Sequence, residues 1–173
     1  MRKNIIYSLL LVVAALFAGC ESRLDIEKHG NMGDQNDFYQ TDEQTEQAVA
    51  SMYSSLKGLY FNWFFTKNVL SDDVWCGGGQ RGDNTSLEQL NEYTYGTDNG
   101  MIQGVFSGLY GLIYQSNLVI EKVADDTPAK ERAIAEAKFF RAWANFELVT
   151  LWGTAPLVDH LLKPGEYRQG NST

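Results

Sequence analysis

Between Val74 and Asn99 the sequence sets three aromatic side chains, Trp75, Tyr93 and Tyr95, among Arg81, Asp83 and Asn84. A sugar ring offers an apolar C–H face and a rim of hydroxyls, so a site for one combines an exposed aromatic plane with guanidinium, carboxylate or amide groups. This stretch supplies both kinds. The opposing expectation is that the three aromatics fold back onto neighbouring helices and serve only packing.

Other chemistries find weaker support. Gly77, Gly79 and Gly82 fit the spacing G-x-G-x-x-G, but a dinucleotide site needs a strand before the glycines and a helix directly after them. Here Ser71-Asp72-Asp73 precedes and Asp83-Asn84 follows, placing acids beside the would-be phosphate cradle. Arg81-Gly82-Asp83 spells an adhesion tripeptide that chance supplies often, and it carries no weight. His29 and His160 have no partner at metal-ligand spacing, so neither a metal nor a cofactor is expected. Cys76 lacks a nearby histidine and no Gly-x-Ser-x-Gly elbow occurs, which leaves nucleophilic catalysis without a candidate. Asp72 and Asp73 could furnish an acid for glycoside hydrolysis, which requires two carboxyl groups flanking a cleft. Adjacent acids at a helix end are more often solvated or bonded to nearby backbone.

The elements that must position these residues are helical. With 44% hydrophobic residues and 3 Pro among 173, the chain is neither disordered nor collagen-like. Its net charge of −8 gives no electrostatic footprint for nucleic acid. Aromatics are the excess term, with 4 Trp, 9 Tyr and 9 Phe.

Arg2 and Lys3 precede an apolar run from Ile5 to Ala18, the layout of an export signal and too short to span a bilayer. Phe17-Ala18-Gly19-Cys20 resembles a bacterial lipobox with Phe17 where Leu is usual, making Cys20 the expected lipidation site; the alternative is an ordinary signal peptide with an incidental cysteine. Residues 1–19 are thus read as leader and 20–40 as a lipidated tether. With Cys20 lipidated, Cys76 has no partner, so no disulfide holds the domain.

Thr41-Asp42-Glu43-Gln44 has capping-box spacing and predicts a helix start. Ala48, Val49, Met52, Tyr53 and Leu56 form its apolar face, with Gly58 as the expected stop. A second, more buried helix is expected over 59–70. Residues 74–99 break the helical period as a long loop, in which 86–93 has the makings of a short helix. A third helix follows over 100–123, where Gly104, Gly108 and Gly111 each cost about 1 kcal/mol relative to Ala and imply close approach of a neighbouring backbone. Thr127 as N-cap and Pro128 at the first position open the last helix, ended by Gly153. The expected fold is all-α, built of antiparallel helical pairs. Asn117 and Arg141 fall on apolar helices and are expected to be structural, bonded across the helix pair or to Asp72 or Asp73. Most aromatics are expected to fill helix interfaces.

Several segments, in order, resemble the SusD/RagB family of outer-membrane nutrient-binding lipoproteins. They are Cys20 with Leu24-Asp25-Ile26, then Asp37-Phe38-Tyr39-Gln40-Thr41-Asp42-Glu43, then Ser71-Asp72-Asp73. Next come Tyr110, Ile113 and Asn117, with Phe106 where the family has Trp. The strongest is Glu136-Ala137-Lys138-Phe139-Phe140-Arg141-Ala142, running on to Gly153, Pro156, Leu157 and Val158, with Thr154 in place of Asp.

The resemblance implies a scaffold related to tetratricopeptide repeats, lipid-anchored at the outer membrane and facing the cell exterior. It implies a glycan-binding protein without catalysis that passes oligosaccharide to a TonB-dependent, SusC-like transporter. It further implies a longer polypeptide, with 41–173 as an incomplete N-terminal helical domain and apolar surface left on its last helix near Phe146, Val149 and Trp152. The rival readings are a glycoside hydrolase using Asp72 or Asp73 and a structural lid that binds no sugar.

Overall fold

Four helices run along residues 38–171, the span that the computed structural model describes: α1 (Asp42–Val69), α2 (Thr85–Asn91), α3 (Gly100–Lys122) and α4 (Pro128–Trp152). No strand occurs among the described residues. The leader, Cys20 and most of the tether lie outside them.

The start of α1 follows from its capping box. The Thr41 hydroxyl accepts from the Gln44 N–H at 3.2 Å while the Gln44 side chain accepts from the Thr41 N–H at 3.1 Å, satisfying two donors that have no intrahelical partner. The helix does not stop at Gly58. It continues to Val69, so the two helices expected over 41–58 and 59–70 are one element of 28 residues. The reason is tertiary: Met52, Leu59, Thr66 and Val69 are buried along its length, and that burial outweighs the roughly 1 kcal/mol that an interior glycine costs. The count of four survives because 85–91 forms α2 within the expected loop.

Helix directions can be read from side-chain pairs. Ser116 Oγ contacts Met52 Sδ and Gln115 Nε2 donates to Ser55, whereas Gly108 and Gly104 face Leu59 and Asn62. Rising numbers on one helix meet falling numbers on the other, so α1 and α3 are antiparallel. α3 and α4 are antiparallel too, with Arg141 against Asn117 and Trp152 against Phe106. α1 and α4 run parallel, linked in order by Thr127 to Asp42, Tyr53 to Glu136 and Trp63 to Glu147.

α3 therefore packs against both long helices, and its Val105, Leu109, Leu112 and Ile113 are fully buried. Ala137, Phe140, Ala144 and Leu148 supply the α4 side of the core. Gly104 and Gly108 have a packing reason, but the neighbour is side chain rather than backbone. A Cβ on Gly104 would overlap Asn62 Nδ2, and one on Gly108 would come within 2.8 Å of Leu59 Cδ1. Gly111 faces open space.

A second apolar cluster of Val69, Leu87, Leu90 and Met101 pins α2 against the ends of α1 and α3. Leu90 is wholly buried, and burying a leucine side chain contributes about 1.5–3 kcal/mol. This anchor fixes the glycine-rich segment that precedes α2.

Candidate functional site

Residues 74–84 have little backbone pairing of their own, and side chains supply what is missing. Asp83 Oδ2 accepts from the N–H groups of Gly79 at 2.6 Å and Gln80 at 3.0 Å. Both Glu88 carboxylate oxygens accept from the Gly82 N–H, at 2.7 and 3.0 Å. Asn91 works from both ends of its amide: Oδ1 accepts from the Cys76 N–H at 3.1 Å, and Nδ2 donates to the carbonyls of Val74 at 3.1 Å and Val69 at 3.4 Å. Asn84 caps α2 by accepting from the Leu87 N–H at 3.2 Å.

The loop so held surrounds an open pocket of about 230 Å³ lined by Trp75, Cys76, Arg81, Glu88, Asn91 and Glu92 with Gly77 and Gly78. Trp75 stands at its rim with 76% of its surface exposed. Arg81 and Glu92 form a two-pronged ion pair, one prong at 3.0 Å from Nη2 to Oε2 and the other from Nη1 to Oε1. The Arg81 hydrogen bond holds the Glu92 carboxyl below the usual carboxylate range, and Glu92 in turn raises the guanidinium. Both groups are thus charged across the ordinary pH range, a planar fork suited to hydroxyl donors and acceptors. Burial first and the Glu88 charge second push the Cys76 thiol up, which leaves it protonated and unreactive as a nucleophile.

The sequence-predicted residues divide among four places. Trp75 and Arg81 share the pocket. Asp83 and Asn84 organise backbone beside it. Tyr93 folds back, its hydroxyl donating to the Leu70 carbonyl at 2.6 Å. Its φ of 57° is the left-handed conformation at which α2 ends, with Thr94 N–H reaching Gln89 O and Tyr93 N–H reaching Leu90 O, a Schellman closure usually made by glycine. Tyr95 lines a different, apolar pocket of about 450 Å³ with Leu70, Ile102, Leu151 and Trp152.

Asp72 and Asp73 are exposed just past α1 and do not line the Trp75 pocket. Neither partners Asn117 or Arg141, as one expectation had it. Arg141 Nη1 instead donates to Asn117 Oδ1 and to the Asp159 carbonyl, and Asn117 Nδ2 donates to the carbonyls of Val158 and His160. Among the described residues no group of three metal-ligating side chains gathers, and no described helix is long and apolar enough to cross a membrane.

Glu88, Asn91 and Glu92 are the site residues that sequence reasoning missed. Each acts on backbone or side chain 6 to 22 positions away, and the available signal was the Asn84 cap followed by Leu87 and Leu90 at three-residue spacing, which marks α2 and hence which of its residues turn toward the loop.

A SusD-like family model described as "Starch-binding associating with outer membrane" matches residues 27–168. A SusD-like protein of Bacteroides ovatus is 32% identical over 166 residues, covering 88% of this chain and 29% of its own length. The SusD-like proteins P38 and P25 of Formosa agariphila are 28% and 27% identical, covering 90% and 96% of this chain and 30% and 33% of theirs. The chain thus spans about a third of the length of these curated relatives. No solved structure matches it.

Proposed function

The chain belongs to the SusD-like family, and on that premise we propose that it is part of a non-catalytic, cell-surface glycan-binding lipoprotein whose first contact with sugar is the Trp75 pocket. The observation that carries this reading is the exposed Trp75 ring beside the Arg81–Glu92 fork. A sugar's C–H face stacks on the indole while its hydroxyls meet charged donors and acceptors already in place. The loop is held by Asp83, Glu88 and Asn91 before any ligand arrives, which reduces the ordering cost of binding.

In this proposal Cys20 carries the lipid, the protein faces outward from the outer membrane, and the oligosaccharide passes to a TonB-dependent, SusC-like transporter. The family description supports the outer-membrane and starch-binding parts. Retardation of the chain on native gels containing starch or related polysaccharides tests the binding step. Migration unchanged by every polysaccharide, with the helices intact by circular dichroism, would oppose it. Co-purification of a transporter from outer membranes tests the handover.

A further inference from the structure

The polar groups around Trp75 are unevenly spent. The N–H groups of Cys76, Gly79, Gln80 and Gly82 are each taken by an oxygen of Asn91, Asp83 or Glu88. Asn91 Nδ2 is committed to the Val74 and Val69 carbonyls, and both terminal nitrogens of Arg81 go to Glu92. Donors that a ligand could use are therefore scarce. Acceptors are not, because an ionised carboxyl has about four accepting sites, and two are engaged at Glu88 and two at Glu92.

Charge is uneven in the same direction. Among the described residues that line the pocket, Arg81 stands against Glu88 and Glu92. Glu92 offsets Arg81, while Glu88 is held by the Gly82 N–H rather than by a cation. The Glu88 field reaches the Cys76 thiol, which burial first and that charge second push up. Asp83 adds a further carboxylate on the loop, and from Ser71 to Asn99 the acids Asp72, Asp73, Asp83, Glu88, Glu92 and Asp98 stand against Arg81 alone. A sugar bearing a carboxylate or sulfate would meet Glu88 with the one guanidinium already engaged, an unpaired like charge of the kind that rejects a ligand. A protonated sugar amine would bring three donors to carboxylate oxygens with room to accept them. It would also lie favourably over the exposed Trp75 ring.

We propose that the Trp75 pocket selects glycans built of amino sugars with a free, protonated amine, takes uncharged sugars less well and rejects sugars that carry carboxylate or sulfate. The proposal rests on the glycan reading of this pocket and names the substrate class within it.

The test measures the affinity of the native chain for oligosaccharides of equal length in matched sets, in mildly acidic buffer where sugar amines keep their proton. Each set has one backbone, glucose or galactose, and one linkage, with every ring carrying a hydroxyl, a free amine or a carboxylate at the varied position. Within a set the amine member is expected to bind about threefold or more tightly than the hydroxyl member, and the carboxylate member about threefold or more weakly. The amine preference should fall to near unity in Glu88→Gln, whose amide oxygen can still accept from Gly82. It should persist in Glu131→Gln, which removes one charge in the first turn of α4. Equal binding of the amine and hydroxyl members, or a carboxylate member bound as well as the hydroxyl member, would overturn the proposal and leave the glycan reading standing. So would an amine preference that Glu88→Gln does not reduce, because the attraction would then belong to the net charge of −8. If Glu88→Gln does not fold, Glu92→Gln carries the test. It frees the Arg81 guanidinium, so the carboxylate member should bind at least as well as the hydroxyl member, and continued rejection would overturn the proposal. Binding of no member of any set by the folded chain would overturn the glycan reading and the proposal with it.

Discussion

Arg141 on α4 donates to the Asn117 side chain on α3 at 2.9 Å, and Asn117 in turn donates to the His160 carbonyl at 3.0 Å. Two helices and the segment after α4 thereby share one polar junction inside an apolar interface. Asn117 is buried, and removing its side chain withdraws partners from Arg141 and from the Val158 and His160 carbonyls, a loss of about 1–3 kcal/mol. Asn117→Ala should destabilise the protein by about that amount in urea unfolding. A double-mutant cycle with Arg141→Ala should show a coupling of about 0.5 kcal/mol or more. Strict additivity would mean that the two residues act separately.

The glycines of α3 give opposite expectations at neighbouring turns. Gly108→Ala places its methyl 2.8 Å from Cδ1 of the buried Leu59, and forcing that side chain out of its packing costs about 1–3 kcal/mol. Gly111→Ala meets nothing within 4 Å and removes a flexible residue from a helix interior, a gain of about 0.5–1 kcal/mol. Thermal unfolding should therefore move down for the first and up for the second. Equal shifts would show that the α1–α3 approach is looser than described.

The segment after α4 should respond to pH through His160. Its Nδ1 lies 2.8 Å from Asp159 Oδ1 and its Nε2 lies 3.5 Å from Glu166 Oε2. The Asp159 hydrogen bond, with Glu166 adding to it, raises the imidazole pKa above its ordinary value. A base with a raised folded-state pKa contributes stability that is fully present below about pH 6.5 and is lost as pH rises through the folded value. Asp159 is lowered chiefly by His160, and Glu166 chiefly by the Lys163 N–H. Their contribution is present above about pH 4.3 and is lost as pH falls through the folded values. Residues 158–168 should be best held between those limits. NMR titration should place His160 above 6.5, and amide protection there should fall as pH rises above about 6.5 in the native protein and not in His160→Gln. An ordinary or lowered His160 pKa would contradict this.

Much of the scaffold was legible because its signals are local. Thr41 and Gln44 lie three apart, Thr127 and Pro128 are adjacent, and each marks a helix start by chemistry confined to one turn. Gly58 misled because its stop signal is also local, whereas the continuation of α1 is decided by Leu59, Thr66 and Val69 burying against other elements.

The aromatic excess divides differently from the expectation that most of it fills helix interfaces. Tyr53, Tyr60, Phe61, Phe139 and Phe146 are more than half exposed, and no pattern within α1 or α4 alone says which apolar stripe faces the core. Within the candidate site, Trp75 and Arg81 were recognisable by residue type. Glu88, Asn91 and Glu92 were not, because an acid or amide on a short helix acquires its role only when Leu87 and Leu90 dock that helix beside the loop.

The central claim, that the Trp75 pocket binds sugar, is tested most directly by calorimetric titration of native and Trp75→Ala protein with the oligosaccharide that the native chain binds best in a glycan panel. Trp75→Ala should weaken binding about tenfold or more, as loss of an exposed aromatic anchor does, with its helical circular dichroism unchanged. Tyr93→Phe, which removes only a hydroxyl committed to Leu70, should bind as the native protein does. Equal affinity of the native and Trp75→Ala proteins, or no glycan bound by either, would contradict the account.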